Sequence, residues 1–210
     1  MARLTGLERD ARHPDGVRVL VDGRLFCTLN EAALGELGLR VGVEWTADLA
    51  ARASRAADEE AAWRAAVAAL ARRGHAVEEL RRRLVRNGHR PEAAEHAIQR
   101  ALQRRLLDDA AFALAYVGSR APRGRGPDRL RRDLACLGVA RNHIERALQS
   151  QWPEPEDALS LARELVLKRA RQLRDLPREV RRRRLVAYLG RRGFSGRPVR
   201  ELISRALREP

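Results

Sequence analysis

The strongest constraint on the fold is a register of leucine and glycine that recurs three times. When the chain is aligned on Gly88, Gly138 and Gly193, leucines stand eight and four residues before each glycine: Leu80 and Leu84, Leu130 and Leu134, Leu185 and Leu189. Leucines four apart share one helical face, and a glycine just after them supplies the left-handed residue that ends the helix. The register therefore predicts one helix that stops at each glycine.

A second apolar series follows each glycine, six and ten residues later: Ala94 and Ile98, Ile144 and Leu148, Val199 and Ile203. This spacing is typical of the buried stripe of a second helix. Another apolar-periodic segment precedes each leucine pair, so each copy contains three helices. Because the glycines are 50 and 55 residues apart, and one copy is too small to be stable alone, the pattern predicts three tandem three-helix repeats in a stacked array.

The first part of the chain has the pattern of a small β-hairpin. Valines at 17, 19 and 21 alternate with other residues, and Asp22-Gly23 supplies the positive φ angles of a tight turn before Leu25 to Leu29. A two-stranded hairpin is marginal alone, so we expect a third strand from Leu4 to Arg9. Asn30 is expected to cap a short helix. Two roles stay open for this head: a docking surface, or a cap on the end of the repeats.

The positive charge is confined to the repeats. We divide the chain into a head at 1–57 and repeats at 58–107, 108–153 and 154–210; the head is neutral, and the repeats carry +4, +3 and +8 of the net +15. An excess of this size predicts attraction to a polyanion or to an acidic protein surface. The alternative is a merely solvated surface, since Lys168 is the only lysine among 43 basic residues and a GC-rich coding sequence produces the same bias.

The candidate partner-binding residues are arginines of two kinds. Some lie outside the leucine face of the first helix of each hairpin, and we expect them to point outward. Others surround the Gly124, Gly126 and Pro127 loop, where guanidinium groups could approach phosphates or carboxylates. Together the candidates are Arg82, Arg86, Arg120, Arg123, Arg125, Arg129, Arg132, Arg183, Arg184, Arg191 and Arg192. A solvated linker is the alternative for the loop.

Other residue types indicate no catalytic or metal site. Asp108 and Asp109 precede an apolar stripe, a position typical of a helix N-cap. No metal-site spacing links the five histidines, which are His13, His75, His89, His96 and His143. No phosphate loop or nucleophile elbow is present. We therefore expect neither an enzyme nor a bound metal or cofactor.

Two further features concern the cysteines and the compartment. Cys27 and Cys136 are far apart in sequence, and we expect both to be buried small hydrophobic residues rather than a disulfide. The chain has no apolar run long enough to span a membrane, and its start lacks the apolar region of a signal peptide. We therefore expect a cytoplasmic protein without a membrane partner.

Several stretches resemble the RecX family: RRRLVRNGH, RRLLDDAAFALAYV, GRGPDRLRRDLACLGV and LVAYLGRRGF. The similarity is close over residues 55 to 210, and LGLRVG extends it into the head. The resemblance implies a mainly α fold in an elongated, curved array behind a small β-containing domain. It also implies a non-enzymatic regulator that lies in the groove of a RecA filament on DNA; because a modular array needs no self-association, we expect a monomer. There it would inhibit ATP hydrolysis and strand exchange and promote filament disassembly.

A nonspecific DNA-binding protein is the alternative, because helical hairpins with a glycine turn also resemble helix-turn-helix units. The residues after the three glycines differ completely: His89-Arg90-Pro91, Val139-Ala140-Arg141 and Phe194-Ser195-Gly196. They provide no common set of polar side chains for reading bases. We therefore expect only weaker, salt-sensitive, nonspecific contacts with single- and double-stranded DNA.

Overall fold

A computed structural model describes residues 1–11 and 15–208 of the chain. His13, one of the histidines considered above, lies outside this part. The elements in chain order are β1 (Leu4–Arg9), β2 (Gly16–Val21), β3 (Arg24–Asn30), α1 (Glu31–Glu36), α2 (Ala47–Leu70), α3 (Val77–Arg86), α4 (Pro91–Gln103), α5 (Asp109–Arg120), α6 (Pro127–Cys136), α7 (Arg141–Gln151), α8 (Pro155–Arg171), α9 (Arg178–Arg192) and α10 (Arg197–Ala206). The protein is mainly helical with a small N-terminal sheet, as the sequence predicts.

The head is a three-stranded antiparallel sheet in the order β1-β2-β3. The turn between β2 and β3 has φ angles of 46° at Asp22 and 75° at Gly23, the left-handed pair that a tight hairpin requires. The predicted hairpin and the predicted third strand are both confirmed. The Asn30 side chain accepts a hydrogen bond of 2.7 Å from the backbone N–H of Ala33, so the predicted cap of α1 is also confirmed.

The leucine and glycine register forms three helical hairpins, α3–α4, α6–α7 and α9–α10. The three glycines that follow the first helices have positive φ angles, 96° at Gly88 and 88° at both Gly138 and Gly193. The twelve apolar residues of the register are all at most 5% exposed: Leu80, Leu84, Ala94, Ile98, Leu130, Leu134, Ile144, Leu148, Leu185, Leu189, Val199 and Ile203. The predicted buried stripes are therefore confirmed in all three copies.

Alanine forms much of the packing surface of the first copy. The buried face of α2 includes Ala62 and Ala66, and the buried face of α4 includes Ala94 and Ala97. Small side chains permit a close approach of two helices, which compensates for the small apolar area of each residue. Trp63 and Leu49 are the two large side chains among the buried residues of α2.

The structure forms two compact units. The first comprises residues 1–75 and 79–107, and the second comprises residues 76–78 and 108–210. Helix α2 runs without a break from the head through residue 57 into the first copy, so the division of the chain at that residue stays a prediction. Within residues 1–11 and 15–208, no helix has the length and apolar character needed to cross a membrane.

One expectation about the cysteines is wrong. Cys27 on β3 is half-buried, and burial raises the pKa of its thiol to about 11. Cys136 is exposed instead of buried. It is the last residue of α6, two residues after the buried Leu134, a step that rotates a helical side chain by about 200° to the opposite face.

Candidate partner-binding surfaces

Eight of the eleven candidate arginines are exposed. Arg82 and Arg86 lie on α3 in the first unit, and the others belong to the second unit. Within the described part of the chain, six of the eight form no ion pair or side-chain hydrogen bond: Arg86, Arg123, Arg125, Arg183, Arg184 and Arg191. Their guanidinium groups are therefore accessible to an external anion.

Three candidates outside this group of six are partly occupied by interactions inside the second unit. Arg129 donates from Nε to Asp133 Oδ1 over 2.8 Å. The guanidinium carbon of Arg120 lies 3.6 Å from the centre of the Tyr116 ring, a distance typical of a cation–π contact. Arg132, although exposed, donates to the backbone oxygen of Asp128. These contacts hold the side chains in place and limit their freedom to reach a partner.

Arg192 differs most from the expectation that the arginines of α9 point outward. Its Nη1 donates to the backbone oxygens of Arg123 and Gly124, both at 3.3 Å. Its guanidinium carbon also lies 4.8 Å from the centre of the Tyr188 ring. The side chain is turned toward these acceptors because the end of α9 packs against the loop before α6. Arg192 therefore connects the second and third copies of the repeat.

The loop before α6 packs tightly on the glycine turn at the end of α9. The backbone N–H of Gly126 donates to the oxygen of Arg192 over 2.7 Å, and that of Asp128 donates to the oxygen of Gly193 over 3.2 Å. A Cβ on Gly126 would lie 2.5 Å from the Gly193 oxygen, which no real side chain tolerates. The glycines of the Gly-Arg-Gly-Pro motif are thus required for this close approach.

This packing brings two groups of predicted site residues together. Arg123 and Arg125 lie on the loop, and Arg191 lies on the turn of α9 that the loop contacts. All three side chains are exposed. The second unit therefore presents one basic surface, built from parts of the second and third copies, that neither copy forms alone.

The structure also contains a repeated ion pair that sequence reasoning missed. Arg81 Nε lies 2.7 Å from Glu95 Oε2 in the first copy, and Arg131 Nε lies 2.7 Å from Glu145 Oε1 in the second. Each arginine stands seven residues before its glycine and each glutamate seven residues after it. The signal was visible in the sequence, but a search for apolar positions does not detect it.

The ion pair of the second copy changes the titration of both partners. The hydrogen bond from Arg131 lowers the pKa of the Glu145 carboxyl, although partial burial opposes this effect. The same hydrogen bond raises the pKa of Arg131. Both groups therefore stay charged at neutral pH, and each cancels the charge of the other on the hairpin surface.

Two further titratable residues considered above, Asp108 and His89, have structural roles. Asp108 accepts hydrogen bonds from the backbone N–H groups of Ala110 and Ala111, so its predicted N-cap role is confirmed. His89 Nδ1 lies 2.9 Å from Asp58 Oδ1 and fastens the α3–α4 turn to α2. Among the residues that the structure describes, no group of three potential ligands could hold a metal ion.

Comparison with protein families matches two segments of the second unit. Residues 108–148 match the model of the second three-helix domain of RecX, and residues 155–207 match that of the third. Among solved structures, a crystal structure of regulatory protein RecX has a TM-score of 0.74 at 24% identity, covering 98% of this chain and all of that one. RecX from Lactobacillus salivarius has a TM-score of 0.60 at 19% identity, covering 71% and 96%. These structures share the fold.

Curated relatives are more similar in sequence. Regulatory protein RecX of Xanthomonas oryzae pv. oryzae is 36% identical over 140 residues, which cover 64% of this chain and 82% of the relative. Regulatory protein RecX of Halorhodospira halophila is 34% identical over 151 residues, which cover 71% of this chain and 91% of the relative. On the strength of these matches, the chain belongs to the RecX family of regulatory proteins.

Proposed function

We propose that this protein regulates homologous recombination by binding in the groove of a RecA filament on DNA. Bound there, it inhibits ATP hydrolysis and strand exchange and promotes disassembly of the filament. It acts in the cytoplasm as a monomer, without a cofactor and without chemistry of its own. Its single- and double-stranded DNA contacts are nonspecific and weaker than its contact with RecA.

Besides family membership, one observation carries the proposal: the joint basic surface of the second unit. Exposed guanidinium groups from the loop before α6 and from the end of α9 lie on neighbouring segments, and the loop is fixed by backbone hydrogen bonds of 2.7 and 3.2 Å. A rigid surface with several free guanidinium groups suits binding to carboxylates or phosphates that are themselves fixed in a filament.

The direct test is the ATPase activity of RecA on single-stranded DNA. We expect substoichiometric amounts of this protein to slow hydrolysis, because one bound molecule would affect several filament subunits. The variant R123A/R125A/R191A should inhibit less at the same concentration. R163A/R171A/R174A, which removes three other exposed arginines of the second unit, is the matched control and should inhibit like the unmodified protein. Unchanged hydrolysis at saturating protein would refute the proposal.

The alternative is a plain nonspecific DNA-binding protein built from helix-turn-helix-like units. The three helical hairpins and the net charge of +15 favour it as a second candidate. Co-sedimentation distinguishes the two functions: a RecA regulator should pellet with RecA filaments at a salt concentration where it no longer pellets with bare DNA. Equal recovery on both would favour the alternative.

A further inference from the structure

The third hairpin has a groove between α9 and α10. Of the eleven candidate arginines, only Arg183 lines it. Its apolar floor contains Val186 and Ile203, and Arg183 and Arg200 stand beside that floor. A second concavity continues the groove along α10 and shares Arg200 with the first. Both concavities lie within the second unit.

The groove occupies the place where the first two copies have their ion pair. Seven residues before the glycine, the third copy has Val186 in place of arginine; seven residues after it, the third copy has Arg200 in place of glutamate. The pair is therefore absent, and Val186 is left 45% exposed. The third copy therefore presents an apolar side chain and an added arginine where the first two copies present a neutral ion pair.

A second position shows the same reversal of charge. Ten residues before the glycine, the first two copies have Glu78 and Asp128, whereas the third has Arg183. In the second copy, the carboxylate of Asp128 lies 3.1 Å from the Nη1 of Arg131 and adds to its neutralisation. Both carboxylates that compensate Arg131 thus correspond to arginines in the third copy.

The arginines that line the groove outnumber its carboxylates. On the α9 side, Glu179 lies 3.8 Å from Arg182. Arg200 and Arg205 form no ion pair within residues 1–11 and 15–208. The one carboxylate lining the part along α10 is that of Glu201, and it already pairs with Arg197 at 2.7 Å. Mutual repulsion among the remaining guanidinium groups favours binding of an anion that neutralises several of them together.

We propose that the α9–α10 groove binds the sugar–phosphate backbone of a single nucleic-acid strand. Arg197 and Arg205 are separated by about 12 Å along α10 at 1.5 Å per residue, so the row of arginines suits a polymer with a charge on every unit. Guanidinium groups form bidentate hydrogen bonds with phosphates. The apolar floor at Val186 provides a surface on which the face of a base can pack.

This inference deepens the DNA contact of the proposed function, but its test requires no RecA. The variant R183D/V186R/R200E gives the third copy the three residues that form the ion pairs of the second copy. The matched control, K168A/R171A/R174A, removes exposed charges elsewhere on the third copy and changes the net charge by the same amount. Binding of each full-length variant to a fluorescent oligothymidylate is followed by anisotropy over a range of salt concentrations.

We expect R183D/V186R/R200E to bind the oligothymidylate at least about tenfold more weakly at low salt. A plot of log affinity against log salt concentration should be less steep, corresponding to the release of about two fewer counterions. The control should retain affinity and slope close to those of the unmodified protein. Circular dichroism and thermal melting check that the variants are folded. R200A/R205A, which only truncates exposed side chains, provides a second loss-of-binding variant and should also weaken binding.

Three results would overturn the inference. One is unchanged affinity in both groove variants, and another is an equal loss in the charge-matched control. The third is displacement of the oligothymidylate by polyglutamate at an equal concentration of charges, which would identify an acidic protein segment as the ligand. If the groove variants lose binding but the unmodified protein leaves the RecA ATPase unchanged, the proposed function fails and the groove assignment stands.

Discussion

The second and third hairpins, α6–α7 and α9–α10, have the same core but different surfaces. Leu130 and Leu134 of the second copy and Leu185 and Leu189 of the third are all 0% exposed. On the surface, the ion pair of the second copy corresponds to a valine and an arginine in the third. The repeat register therefore specifies what is buried and leaves the exposed face free to acquire a separate function.

The glycine turn of the third hairpin also differs from that of the first, α3–α4, although both glycines have positive φ angles, 88° at Gly193 and 96° at Gly88. A Cβ on Gly88 would contact nothing within 4 Å, whereas one on Gly193 would collide with the backbone of Arg129. Gly88 is thus needed only for the left-handed backbone. Gly193 is needed for that backbone and also for the packing of the third copy against the second.

The largest expected effect tests whether the two cores are equivalent. Leu134→Ala and Leu189→Ala should each lower the free energy of unfolding by about 3 kcal/mol, because each removes a fully buried side chain from a packed stripe. Urea unfolding of the full chain, followed by circular dichroism, measures both. Val186→Ala, at a position 45% exposed, is the control and should cost less than about 0.5 kcal/mol. A near-zero effect of either leucine variant would contradict the shared core.

The sequence predicted this core well because its signal is local. A leucine four residues from another leucine must share its face, and a glycine in the left-handed region ends a helix wherever it occurs. The stripes, the three glycine turns, the strand hairpin and the Asp108 cap follow from such short-range rules. Each of these features depends on residues that are close together in the sequence.

The surface was less predictable because its contacts join distant residues. The hydrogen bonds of Arg192 to Arg123 and Gly124 connect residues 69 and 68 positions apart, and no spacing rule predicts such a pair. The Gly-Arg-Gly-Pro loop was correctly identified as special, but its glycines serve close packing against α9 as well as positioning arginines. Position in the helix alone therefore could not separate Arg192 from its neighbour Arg191.

The glycine turns provide the next largest effect. Gly193→Ala should lower the free energy of unfolding by about 3 kcal/mol, since it adds a collision with Arg129 to an unfavourable backbone angle. Gly88→Ala should cost about 1 kcal/mol, because only the backbone angle opposes it. Urea unfolding of the two variants side by side measures the difference. Equal losses would mean that the contact between the second and third copies contributes no constraint at Gly193.

The smallest effect concerns the ion pair that only the second of these two hairpins has. Glu145→Gln should cost about 0.5 kcal/mol at neutral pH, a small value because the Arg131 and Glu145 side chains are 43% and 42% exposed and water screens their attraction. Because the pKa of Glu145 is lowered from 4.5 in the folded protein, its contribution is complete above that value. It disappears as the pH falls through the lowered folded pKa.

Urea unfolding at several pH values, from about 7 to about 3, tests this dependence on the ionised carboxylate. The stability difference between the unmodified protein and Glu145→Gln should shrink as the solution is acidified. Arg200→Gln at the equivalent position of the third copy should show no such dependence, because it removes no carboxylate and breaks no ion pair with a described residue. If the stability loss of Glu145→Gln persists at low pH, its cause is lost packing and not the lost ion pair. The two hairpin surfaces would then differ in side-chain packing and not in charge compensation.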